Sequence, residues 1–258
     1  MTPAVRGALI VAVLCVAAAL VYWFGFREKP APPPAPAAAP QAPASSPPER
    51  PGLATTPSGP PLPTLSGSDG PLLEVLSQLF GADIEKLVLR PGIVHRIVAT
   101  IDNLPRAKVP QQVMPVKPVG GPFGAIERAA RLSISPDNAD RYARYMGRVS
   151  RLDTAQLVGT YRHYYPLFQQ AYRELGYPKG EFNDRLIEVI DDLLEAPQPE
   201  PPVALVAPRA MFEYADAALQ DASAGQKIMI RIGPENEARV KAKLRQIRRA
   251  LDGVDLPR

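Results

Sequence analysis

Residues 30–63 hold 14 prolines and only two charged side chains, Glu49 and Arg50. No other stretch constrains the chain as strongly. Proline fixes φ and carries no N–H, so a run this dense nucleates neither helix nor sheet. At about 3.1 Å per residue in extended polyproline II, it reaches roughly 100 Å. We read residues 30–69 as a disordered Pro/Ala-rich linker, a semi-rigid spacer between two other parts. Short P-x-x-P stretches within it also suit a docking motif, but such motifs want a basic neighbour, and the run offers only Arg50.

On its N-terminal side, after a short tail over 1–6, Arg6 and Arg27 bracket 20 uncharged residues, "GALIVAVLCVAAALVYWFGF". At 1.5 Å per residue such a helix spans about 30 Å, the thickness of a hydrocarbon core. Tyr22, Trp23 and Phe24 crowd one end, where aromatic rings favour the headgroup level. The alanines at 17–19 would suit a signal-peptide cleavage site, but the apolar run continues to Phe26, beyond an ordinary signal core. A single-pass transmembrane helix over 7–26, a signal anchor contacting the lipid bilayer, is expected. The flanking charges nearly tie, with Arg6 and the α-amine on one side and Arg27 and Lys29 on the other. Long C-terminal domains cross regardless of such small differences, so the bulk of the chain is expected outside the cytoplasm.

The remaining 189 residues, 70–258, suffice for a sizeable core. They carry 26 Lys/Arg against 23 Asp/Glu, a mild surplus and not the concentrated basic face of a nucleic-acid binder. Cys15, inside the apolar run, is the one cysteine, and His95 and His163 lie 68 positions apart. No disulfide framework is available, and no metal or cofactor is expected.

The periodicity of 70–258 is mainly helical. Leu72, Val75, Leu76 and Leu79 give one apolar face, with Ser68 or Asp69 as cap and Gly81 as stop. A short helix starts at Asp83. Ile93, Ile97, Ile101 and Leu104 mark the next helix, and the prolines of 105–122 predict an extended loop. Residues 130–135 alternate as a strand does, and Ser135 and Pro136 then open a helix to about Val149. From Asp153 to about Leu175 the stripe Leu157, Tyr161, Tyr164, Phe168, Ala171, Leu175 predicts the longest helix, kinked at Pro166. Helices over 181–195, 223–232 and from Pro234 follow, with a short strand at 203–206. The last helix has Val240, Leu244, Ile247 and Leu251 inside, and its Lys and Arg residues fit the negative end of the helix dipole. The fold class is therefore mainly α: an N-terminal transmembrane helix, a linker, and a C-terminal helical domain with a few short strands.

Three stretches, "VATIDNLPR", "YPLFQQAYRELGYPKGEFNDRLIEVIDDLL" and "SAGQKIMIRIGPENEARVKAKLRQIR", resemble a bacterial membrane-protein family, domain of unknown function 3014. The likeness covers most of 70–252, while "FGAIERAARLSIS" is shorter and less typical of it. The resemblance implies a single-pass protein with a Pro/Ala-rich linker and a mainly helical C-terminal domain. It implies no activity and no catalytic residues.

Candidate chemistry has to come from the residues themselves. Arg141, Arg144, Arg148 and Arg151 share one helix side, flanked by Tyr142 and Tyr145, and such forks grip phosphate or carboxylate groups. Pairing or solvation of that face is the plainer account. Asp184, Glu188, Asp191 and Glu195 fall on one side of their helix, a contact for a basic partner or an ordinary solvated face. Ser223 and Lys227 at i and i+4 would allow a serine–lysine pair, although Ser223 reads more simply as an N-cap. His163 beside the Pro166 kink reads as structural.

The expected function is accordingly that of a membrane-anchored envelope protein. Its domain serves as a non-catalytic binding or scaffolding module, held away from the bacterial inner membrane in the periplasm. Its partner would be an envelope protein or glycan, with nucleic acid disfavoured. Two alternatives stay open: an anchored hydrolase acting on envelope material, and a cytoplasm-facing domain binding an anionic polymer.

Overall fold

The computed structural model describes residues 61–118, 123–208, 211–252 and 256, with Arg144 as backbone only. The expected membrane span, 7–26, and linker residues 30–60 lie outside the described residues. Among the described residues no helix is long and apolar enough to cross a membrane.

Packed structure begins earlier than residue 70. Thr64 caps a 3-10 turn, Leu65–Gly67, its hydroxyl accepting from the Gly67 N–H at 3.3 Å. Leu65 is 8% exposed, Leu62 packs partly against the same core, and the Ser68 hydroxyl donates to the Leu65 carbonyl at 2.7 Å. The linker's last residues thus belong to the domain. Two leucines on either side of Pro63 and Thr64 still bury apolar area once a neighbouring surface exists.

Helix α1, Asp69–Phe80, buries Leu72, Leu73, Val75, Leu76 and Phe80 and stops at Gly81, whose φ of 84° suits glycine. Of its two expected caps, Ser68 stands at the N-cap with no side-chain bond to the helix, and Asp69 acts elsewhere. The Asp69 carboxylate accepts from the N–H groups of Gly92 and Ile93 at 2.9 and 2.8 Å, and so caps α2, Ile93–Asn103. The α1 start is closed instead by its own backbone, Leu72 donating to the Ser68 carbonyl. The stretch after α2 is not wholly irregular. It contains a 3-10 turn, Gln111–Val113, and pairs Val88 with Val116 through an isolated bridge. The Arg96 guanidinium fastens it by donating to the Gln112 and Met114 carbonyls.

Strands β1, Ala125–Arg128, and β2, Arg131–Ile134, form an antiparallel hairpin in register Ala125 to Ile134. Its two turn residues, Ala129 and Ala130, both have positive φ, 49° and 59°. A second hairpin, β3 (Leu205–Val206) with β4 (Glu213–Tyr214), joins the first through the Ser133–Ala204 bridge. Leu205, Tyr214, Leu219 and Ile230 form a small core beneath them, apart from the main one.

The main core is helical. It contains α3 (Asp137–Ser150), α4 (Thr154–Glu174), α5 (Phe182–Leu194), α7 (Ala224–Arg231) and α8 (Pro234–Leu251), while the short α6 (Ala217–Asp221) lies beside the second hairpin. Helix α4 is capped by Asp153 as expected and continues unbroken through Pro166. Its stripe is buried except for the last member: Leu175 is 42% exposed. Tyr161, Phe168 and Phe182 stack where α4 meets α5. The turn between them is set by buried Gln169, whose amide donates to the Gly180 carbonyl and accepts from the Phe182 N–H.

Two cations of α8 serve other helices and not the dipole of their own. Lys241 and Lys243 are buried. The Lys241 ammonium donates to the Ala196 carbonyl at 2.5 Å, just past the end of α5, and Lys243 to the Leu152 carbonyl at 2.7 Å, just past the end of α3. Each closes another helix's negative end, where unsatisfied carbonyls favour a cation.

Candidate functional site

Three arginines of the stripe are engaged with different partners. Arg148 donates to the Phe80 carbonyl at 3.1 Å and so closes the end of α1. Arg151 turns back to the Gly147 carbonyl, while Arg141 reaches Asn138 and lies 5.6 Å from the centre of the Tyr142 ring. Tyr142 is itself buried, and that burial pushes its phenol up to about 12. The Arg144 side chain lies outside what the structure describes.

On α5, Phe182, Leu186, Val189 and Leu193 are fully buried, as the periodicity predicts. The acidic side divides in two. Asp184, Glu188 and Glu195 are exposed, Glu188 pairing with Arg185 at 2.8 Å. Asp191 instead accepts from Arg248 Nε at 3.1 Å and ties α5 to α8.

Ser223 is an N-cap. Its Oγ accepts from the Gln226 N–H at 3.0 Å and donates to Asp192 Oδ2 at 2.8 Å. Burial raises the Asp192 carboxyl above its ordinary range, with this hydrogen bond working against the rise. Lys227 is made less basic by burial and by Arg231 and Lys108. His163 lies edge-on to Tyr164, and burial lowers its imidazole. His95, at the start of α2, meets Glu174 at the end of α4 at 2.8 Å, and both are about half exposed. Among the described residues no three His, Cys, Asp or Glu side chains gather as metal ligands would.

The densest polar constellation is one that periodicity alone does not show. Asp102, 3% exposed, lies near the end of α2. Its Oδ2 accepts from Arg106 at 2.5 Å and from the Tyr177 hydroxyl at 3.2 Å, and its Oδ1 from Arg185 Nε at 3.1 Å. Arg185 also donates to the Asp102 carbonyl at 2.6 Å. Tyr177 stacks on Tyr172 with ring centres 4.5 Å apart. A buried carboxylate held by two guanidiniums and a phenol is fully satisfied, so the hub fixes α2 against α5 rigidly. The sequence carried one faint sign of it: an aspartate between Ile101 and Leu104 on an otherwise apolar face, with Arg106 at i+4.

Two further bonds bring in α7: Ala224 donates to the Arg106 carbonyl at 2.7 Å and Gly225 to that of Leu104 at 2.8 Å. The three stretches quoted for the family resemblance therefore meet at one place in the fold. No curated protein and no solved structure matches the chain. A family model described as "Protein of unknown function (DUF3014)" matches residues 93–248, from the first residue of α2 to Arg248 in α8. That span is more than half of the chain and contains the whole hub, and the chain belongs to the DUF3014 family.

Proposed function

We propose that this is a membrane-anchored envelope protein whose helical domain is a non-catalytic binding or scaffolding module. The order of its parts carries the reading. Twenty uncharged residues match a bilayer core in length, and a proline-rich spacer of roughly 100 Å follows. The spacer runs straight into packed structure at Leu62 and Leu65. A domain joined so closely to a stiff spacer is positioned by it, and tethering raises its effective concentration near whatever it meets. The side chains with the greatest catalytic potential support the same view. Ser223 and Asp192 hold the start of α7, and Asp102 and Arg185 lock α2 to α5.

The reading is tested by expressing the full chain beside one lacking residues 7–26 and washing the membranes at alkaline pH. The full chain should stay with the membrane pellet and the deleted chain should be released. A full chain that washes off would refute the anchor.

A further inference from the structure

Helices α5 and α8 run antiparallel beside each other. Asp191 accepts from Arg248 Nε at 3.1 Å, and further along α5 the Lys241 ammonium donates to the Ala196 carbonyl at 2.5 Å. Their buried sides, with Leu186, Val189 and Leu193 on one helix and Val240, Leu244 and Ile247 on the other, join the same main core. Their outer sides therefore adjoin on one face of the domain, with the Asp191–Arg248 pair on the line between them.

The two outer sides carry opposite charge. Asp184, Glu188 and Glu195 fall within one arc at about 100° per residue, and all are exposed. Glu188 bonds Arg185 through one oxygen, while Asp184 and Glu195 pair with no cation among the described residues. On α8, Arg239 answers Glu235, and Arg248 answers Asp252 as well as Asp191. Arg245, four residues after Lys241 and three before Arg248, stands on the half of the outer side nearer α5, and Arg249 a turn beyond it. Both are exposed and meet no carboxylate among the described residues, Arg249 Nε donating to the Arg245 carbonyl at 3.2 Å. Exposed Ala238 and Ala242 lie along the same line and keep it low.

We propose that this face is the contact surface of a symmetric dimer, its occupant a second copy of the same domain. A two-fold axis along the line between α5 and α8 lays the acidic side of each copy over the basic side of the other. An axis across that line would set like charge on like. The 191–248 and 196–241 contacts fix the levels of the two helices, so Glu195 falls within about a turn of the other copy's Arg245, and Glu188 within about a turn of its Arg249. Two helices about 10 Å apart and about 20 Å long give roughly 400 Å² per copy, below the roughly 800 Å² of a standard stable interface. The dimer is accordingly weak and salt-sensitive, forming where copies are concentrated. Every group in the contact belongs to the packed domain, so it does not rest on the membrane reading.

The full chain is sedimented in a density-matched neutral detergent, with micelles in excess and Cys15 kept reduced. A monomer–dimer equilibrium at about 10–100 μM is expected, weakening as salt is raised. Arg245→Glu with Arg249→Glu sets acid on acid, and Glu188→Lys with Glu195→Lys sets base on base. Each double variant should self-associate about a hundredfold more weakly. Mixed one to one, the two should form a heterodimer of unchanged affinity, a rescue that also shows both to be folded. Glu195→Lys alone serves as the second variant where loss of Glu188 disturbs Arg185. An unaltered chain that stays monomeric to about 1 mM would overturn the proposal. So would association that both variants keep, or a loss that mixing does not rescue.

Discussion

Arg185 holds Asp102 at two points, its Nε 3.1 Å from the carboxylate and its Nη2 2.6 Å from the main-chain carbonyl. The two residues are 83 positions apart, and the pair fixes α5 against α2. Asp102→Ala would take the buried counter-charge from a guanidinium that is only 16% exposed and leave it the exposed Glu188 alone. Removing one partner of such a pair costs about 3–5 kcal/mol, whereas replacing both by apolar residues costs less. Urea unfolding should therefore show a larger loss for Asp102→Ala than for Asp102→Leu combined with Arg185→Met.

The start of the domain gives a second test. A fragment from Pro61 keeps Leu62, Leu65 and the Asp69 cap on α2, and a fragment from Gly70 lacks all three. Loss of a cap and of a buried leucine together amounts to about 3–6 kcal/mol. The shorter fragment should unfold at a clearly lower temperature by circular dichroism, and equal midpoints would place the boundary where the linker composition first suggested.

The β1–β2 turn is strained at Ala129 and Ala130, both left-handed. A two-residue hairpin turn of this kind favours Asn-Gly, and an L-residue with a Cβ loses about 1–2 kcal/mol in that region. Ala129→Asn with Ala130→Gly should raise stability by about 1 kcal/mol or more, read as a shift in urea midpoint at constant slope.

Glu237 and Lys241 form a buried ion pair at 2.8 Å on α8. Burial raises the Glu237 carboxyl above 4.5, with Lys241 and Gln198 pulling it down. A carboxyl raised by folding contributes stability that is complete below its unfolded value and is lost as pH rises through the folded one. Stability measured upward from pH 4.5 should therefore carry a falling component that Glu237→Gln removes. An identical profile in the variant would rule that component out.

Much of the helical layout was legible because apolar spacing is a local property. Val240, Leu244, Ile247 and Leu251 are buried as their period requires, and Ser223, Asp153, Gly81 and Gly233 bound helices as their types suggest. What escaped depends on partners distant in the chain. Asp69 caps a helix 23 positions away, Tyr177 reaches Asp102 across 75, and Lys243 reaches Leu152 across 91. The first hairpin was half visible: β2 alternates, but an Ala-Ala turn carries none of the usual turn residues. Leu62 and Leu65 were hidden by the prolines around them.

The central claim, a domain held on the outer side of a membrane by residues 7–26, is tested most directly by topology. An enzyme reporter that is active only after export is fused to the C-terminus of the full chain. Strong activity is the expected result, placing the DUF3014 domain outside the cytoplasm. A stably expressed but inactive fusion would contradict the account and put the domain in the cytoplasm.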